Sequence, residues 1–209
     1  MNATARRASA AALVLISFGF TAGCSEDSPK GLDYFDVCDG SVLSEDVKPL
    51  ERLFPSGATI TSEWTDTSEA GSLKFTCENS ADDASAVMSA EIKDGSVEDW
   101  RAALRAMEGV PDDSDSVPFK AGDEAKVWKN EAAVFMACKS ASEGSSHTKG
   151  IARPYLSVLV RTTGKASVQD LSHRQDLAYL AERMLYNAQV ATGCREGFAR
   201  PSGSPKVEG

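Results

Sequence analysis

Cysteine, histidine and the carboxylates are the residues of this chain whose types and spacing could do chemistry. The sharpest pattern is Phe20-Thr21-Ala22-Gly23-Cys24, which closes an apolar run and is followed at once by Ser25-Glu26-Asp27-Ser28-Pro29-Lys30. It reads as a lipobox. Cleavage before Cys24 and a diacylglyceryl group on its thiol would tether everything downstream to the outer face of a membrane, and the two acyl chains, palmitate or similar, would make the attachment stable where a single chain is marginal. Thr21 stands where Leu or another bulky aliphatic is usual, so ordinary signal cleavage with a soluble secreted product is the alternative.

Once Cys24 is set aside, Cys38, Cys77, Cys138 and Cys194 remain. An even count in an exported chain points to two disulfides rather than metal binding, and no Cys-x-x-Cys pair supports a zinc or thioredoxin-type site. Four cysteines allow three connectivities. Cys38 with Cys77 and Cys138 with Cys194 gives each half of the chain its own clasp and is preferred; Cys38 with Cys194 and Cys77 with Cys138 is the main competitor.

The other reactive residues form no motif. Of the two histidines, His147 falls in a polar loop and His173 precedes Asp176 by one helical turn; such a pair can orient an imidazole, but no nucleophile accompanies it. Both histidines read as surface residues, and two imidazoles so far apart in sequence do not make a metal site. There is no Gly-x-Ser-x-Gly elbow, no Walker motif and no Gly-x-Gly-x-x-Gly loop. Neighbouring carboxylates occur at Asp82-Asp83, Asp112-Asp113 and Asp123-Glu124, but 31 acidic residues make chance pairs expected. The acidic run at 111–116 misses the EF-hand spacing and reads as a solvated loop. Trp64 reads as inward-facing; Trp128, near an expected sheet edge, either packs or touches a ligand or partner, and packing is the stronger reading. No catalytic residue, metal or cofactor is therefore assigned.

These residues are positioned by a chain of 209 residues with a net charge of −9. Residues 1–23 carry Arg6 and Arg7, then an apolar core, then small residues, which is the three-part secretory signal. That core is shorter than the roughly 20 residues a membrane-spanning helix needs. Losing the two arginines with the signal takes the mature chain to −11, which argues against nucleic acid as a partner. Residues 24–31 read as a flexible tether, 32–194 as one globular domain, and 195–209, rich in Pro and Gly, as a disordered tail.

Within the domain, residues 44–54 read as a short helix that either includes Pro49 or starts at it. Alternation of apolar and polar residues predicts strands over 59–64, 73–77 and 86–93. Ser96-Val97-Glu98-Asp99 opens a helix in capping-box fashion, with Val97, Trp100, Leu104 and Met107 on one face and Gly109 and Pro111 beyond it. Edge strands follow at 117–119 and 124–129, then strands at 132–138 and 152–163. A final helix from about residue 167 carries Leu177, Leu180, Ala181, Met184 and Ala188 at helical spacing and ends at Gly193. Helices segregated against antiparallel strands indicate an α+β sandwich.

The lipobox Cys24, the early Val37-Cys38-Asp39-Gly40-Ser41-Val42-Leu43, the strand cysteine in Phe75-Thr76-Cys77, and Ala121-Gly122-Asp123-Glu124-Ala125 before a strand and a last helix resemble actinobacterial secreted lipoproteins of unknown function. The resemblance covers most of residues 32–194, and Cys138 and Cys194 are additions to it. It implies a PsbP-like α/β/α sandwich and carries over no catalytic residue. The expectation is a lipid-anchored, extracytoplasmic, non-enzymatic module that binds a small ligand or an envelope protein. The alternative is an envelope-associated hydrolase using carboxylates that form no recognisable motif.

Overall fold

The computed structural model describes residues 37–38, 47–107, 113–138, 146–166, 171–194 and 205–207. The signal segment, Cys24 and the tether lie outside the described residues, as do Gly109, Pro111 and the start of the expected final helix. Strands β1 (Thr61–Asp66), β2 (Lys74–Ala81), β3 (Ala84–Asp94), β4 (Val117–Pro118), β5 (Glu124–Val127), β6 (Glu131–Ala137) and β7 (Pro154–Thr163) form one sheet in the order β1-β2-β3-β7-β6-β5-β4. Every neighbouring pair is antiparallel. Two meanders thus meet at β3 and β7, whose pairing runs from Ser85 opposite Thr163 to Asp94 opposite Pro154. The architecture is α+β, with helices on both faces of the sheet.

Period-two burial explains the layers. On one face Phe75, Cys77, Met88, Ala90, Val134, Met136, Leu156, Val158 and Val160 are buried in a single cluster with residues of α3 (Leu171–Thr192) and Leu50 of α1 (Val47–Glu51). On the other face α2 (Val97–Ala106) lays Trp100 and Leu104 on Ala133, Phe135, Tyr155 and Trp128. The α2 N-terminus has the expected capping box: Ser96 Oγ accepts from Asp99 N–H while the Asp99 carboxylate accepts from Ser96 N–H. β6 is buried along nearly its whole length because both layers cover it.

Several expectations shift for physical reasons. Pro49 is the third residue of α1; it is tolerated because first-turn N–H groups have no intrahelical acceptor. β5 is an internal strand, flanked by β4 and β6. Trp128 is 1 % exposed and belongs to the α2 cluster, so it is a packing residue. His173 is buried, contrary to the surface reading. It stands four residues before Leu177, one turn further along the same buried stripe. The tail does not remain free throughout: Val207 bridges Phe119 beside β4, and Gln175 Nε2 donates to the Pro205 carbonyl.

The four domain cysteines pair as Cys38–Cys77 and Cys138–Cys194, with Cα separations of 5.4 and 5.3 Å. The first ties residues 37–38 to β2, and the second ties the end of α3 to the residue that follows β6.

Candidate functional site

A cavity of about 530 Å³ opens at the end of the sheet where the β5–β6 turn, the end of β7, the 3-10 turn Asp113–Asp115 and the first turns of α3 converge. That volume is within the range of small-ligand pockets. The antiparallel register builds its floor. Glu131 and Arg161 are directly opposite on β6 and β7, on the face that α2 covers elsewhere, and α2's contacts lie further along the strands at Ala133, Phe135 and Tyr155.

The β5–β6 turn supplies the next wall. Trp128 N–H donates to the Glu131 carbonyl at 2.7 Å, so Lys129 and Asn130 form the exposed tip of a tight hairpin. The Asn130 carbonyl is held by β7, accepting from Thr162 N–H at 2.9 Å and from Thr162 Oγ1 at 3.3 Å. Asp115 lies two residues beyond the Val117–Val127 pair, on the same side of the hairpin as Lys129. Arg174 comes from the opposite side, on α3.

The floor is electrostatically unusual. The Glu131 side chain is 3 % exposed, and that of Arg161 is 37 % exposed. Burial pushes the Glu131 carboxyl above the ordinary range, and the charge and hydrogen bond of Arg161 pull the other way. The contact is a single Arg161 Nη2–H donation to Glu131 Oε1 at 3.2 Å. Two other arginine–carboxylate pairs engage more fully, whereas Arg153 only approaches Asp99 at 4.0 Å. Arg52 meets Asp176 through both Nε and Nη2, and Arg101 meets Glu124 through both Nε and Nη2. Arg161 Nε is buried with no acceptor among the described residues. Lys129 and Arg174 make no ion pair among the described residues.

The residues singled out in the sequence fall elsewhere or change role. His173 Nε2 is 3.3 Å from Thr162 Oγ1 beneath the pocket, but Asp176, the partner expected to orient it, is taken by Arg52. His147 Nδ1 contacts the Ser72 carbonyl at 3.0 Å, away from the cavity. Asp82 and Asp83 occupy an exposed hairpin, Asp123 accepts from Ala137 N–H, and Glu124 is committed to Arg101. None of these paired carboxylates lines the cavity. Asp112 and Cys24 lie outside the described residues. Among the described residues no group of three metal-ligating side chains assembles, and no helix is long and apolar enough to cross a membrane.

Sequence reasoning missed Glu131 and Arg161. The available signal was the alternation itself: it put Arg161 on one face with Tyr155, Ser157 and Leu159, and extending the 132–138 strand back by one residue puts Glu131 on one face with Ala133 and Phe135. No known protein family, curated protein or solved structure matches the chain.

Proposed function

We propose that this protein is a lipid-anchored binding module at the outer face of the cell membrane, attached through Cys24, and that its α+β domain holds a small ligand in the Glu131–Arg161 pocket. The observation that carries the pocket half is the half-engaged Arg161 beside a buried carboxylate, because a desolvated charged group with a specific partner in a cleft is a mark of functional sites. The anchor half rests on the Phe20–Cys24 pattern and on the even cysteine count left once Cys24 is removed. Helices on both faces of an antiparallel sheet are what a PsbP-like α/β/α sandwich requires. A hydrolase reading finds support in the His173–Thr162 contact. Thr162 also bonds the Asn130 carbonyl, and Asp176 faces Arg52, so that pair has the bonding of a buried structural link.

Two measurements test the proposal. Cys24→Ala is expected to abolish metabolic labelling by a palmitate analogue, and continued labelling would refute the anchor. Pull-down of the native anchored protein, with mass spectrometry of bound small molecules, is expected to recover a ligand that Lys129→Gln/Arg174→Gln protein does not retain. Equal recovery by both proteins would remove the pocket from the proposal.

A further inference from the structure

The cavity has a charge pattern at odds with the rest of the molecule. The chain carries −9 overall, yet among the described residues Lys129, Arg161 and Arg174 meet only Asp115 and Glu131 at this opening. Two arginines elsewhere are taken up by carboxylates, Arg52 by Asp176 and Arg101 by Glu124 with Glu98 nearby, while the buried Arg183 donates to the Tyr179 hydroxyl. Here Arg161 spends one donor on Glu131, and Lys129 and Arg174 spend none on a carboxylate among the described residues. A guanidinium fork matches two oxygens of a carboxylate or phosphate, and Arg161 still has most of its fork unspent. Lys129 and Arg174 approach from the hairpin tip and from α3, so the three cations come from three separate elements around one concavity.

We infer that the pocket binds a small soluble oxyanion, a phosphate monoester or a polycarboxylate, held by Arg161 at the floor and by Lys129 and Arg174 at the rim. This rests on the reading of the cavity as a ligand site. Asn130 and Thr163, whose Oγ1 is 2.9 Å from Ser85 Oγ, line the same opening and offer neutral hydrogen-bonding groups to the uncharged part of such a ligand. Glu131 has a defined role here. It holds Arg161 in place through one bond and sets a repulsion that the incoming anion must overcome. An extended anionic bilayer is disfavoured, because the chain's net charge of −9 is repelled by it.

The test is calorimetric titration of the full-length protein in detergent at low ionic strength. Glycerol 3-phosphate, inorganic phosphate and citrate are the anionic probes, and glycerol and putrescine the neutral and cationic controls. Binding of at least one anion and of neither control is expected, weakening as salt is raised. Lys129→Gln and Arg174→Gln, each at a cation with no carboxylate partner among the described residues, are expected to weaken it about threefold to tenfold apiece. Glu131→Gln is expected to tighten it by a similar factor, whereas a cationic ligand would be lost in that variant. Glu131→Gln/Arg161→Gln leaves no buried charge behind and is expected to abolish anion binding with the fold intact. Failure of all three anions to bind, preference for putrescine, or anion binding indifferent to all these substitutions would overturn the inference. Binding of glycerol or putrescine that the variants alter would still leave the cavity as a ligand site. Sedimentation with phosphatidylglycerol vesicles, using Cys24→Ala protein, separates a lipid source; binding to vesicles without binding to soluble anions would also overturn the inference.

Discussion

Removing either partner of the Glu131–Arg161 pair should have very unequal consequences. Arg161→Met leaves the Glu131 carboxylate with 3 % exposure and without the one cation that pairs with it among the described residues. Stranding a buried charge in this way costs about 3 kcal/mol, and for a domain of this size each kcal/mol shifts the melting temperature by about 2–4 °C. Glu131→Gln strands a guanidinium that is already 37 % exposed and can be hydrated, and the Gln carbonyl can still accept from Nη2, so the change should stay within about 1 kcal/mol. The pH dependence follows from the direction of the Glu131 shift. Burial holds its folded pKa above the unfolded value, so its favourable contribution is complete below the unfolded pKa of about 4.3 and declines as pH rises through the folded pKa. Arg161 opposes that rise, and without it the folded pKa climbs further.

The Arg161→Met penalty should therefore be largest at pH 7 and shrink towards pH 4, where the carboxyl is neutral in both proteins. Urea unfolding followed by tryptophan fluorescence reads this directly, since Trp100 and Trp128 are each 1 % exposed in the folded domain. Equal penalties for Arg161→Met and Glu131→Gln, or an Arg161→Met penalty that does not change with pH, would refute the argument that desolvation of Glu131 dominates this floor.

Gly122 has φ +55°, and a Cβ there would run into the Phe135 carbonyl; Gly122→Ala should lose at least about 1 kcal/mol in chemical unfolding, and a neutral result would show that the β5 approach can relax. Cys138–Cys194 closes a separation of 56 residues, so Cys138→Ala/Cys194→Ala should cost about 4 kcal/mol by chain entropy, read as a lower unfolding midpoint against the oxidised parent. The Glu124 carboxyl is held below its ordinary range, first by hydrogen bonds from Arg101, so that pair supports α2 above the unfolded carboxylate pKa and lets go as pH falls through the lower folded value. Glu124→Gln should accordingly raise amide exchange in α2 at neutral pH and remove this acid-side loss; unchanged exchange would mean that Trp100 and Leu104 alone hold the helix.

What the sequence reveals and what it hides divide along a physical line. Local periodicity carries the elements: Met88, Ala90 and Ile92 alternate with Ser89, Glu91 and Lys93, and the strand they predict is β3. Ser96 and Asp99 form their capping box because that bonding spans three residues. The pocket needs partners 30 residues apart, Glu131 and Arg161, brought opposite by a hairpin whose connection runs from Cys138 to Pro154. No local pattern encodes that register. His173 failed for a related reason: an imidazole on a stripe otherwise built from Leu, Ala and Met looks polar in isolation, and only the covered end of β7, with Thr162 waiting there, makes its burial favourable.

The site sits where the two apolar layers end. α2 covers one face of β6 and β7 through Phe135 and Tyr155, while α3 fills the other face along its length. The apolar layers must stop somewhere short of the strand ends. At that limit the register still demands side chains on both faces, and the positions fall to Glu131, Arg161 and Thr162. A fully solvated end would leave a Glu–Arg pair worth little; a fully packed one would make it costly. Here the hairpin tip and the first turns of α3 enclose the pair without filling the space above it, so the carboxylate is desolvated while the guanidinium still faces an opening. That intermediate enclosure is the condition under which a small charged ligand can add bonds the protein itself has left unmade.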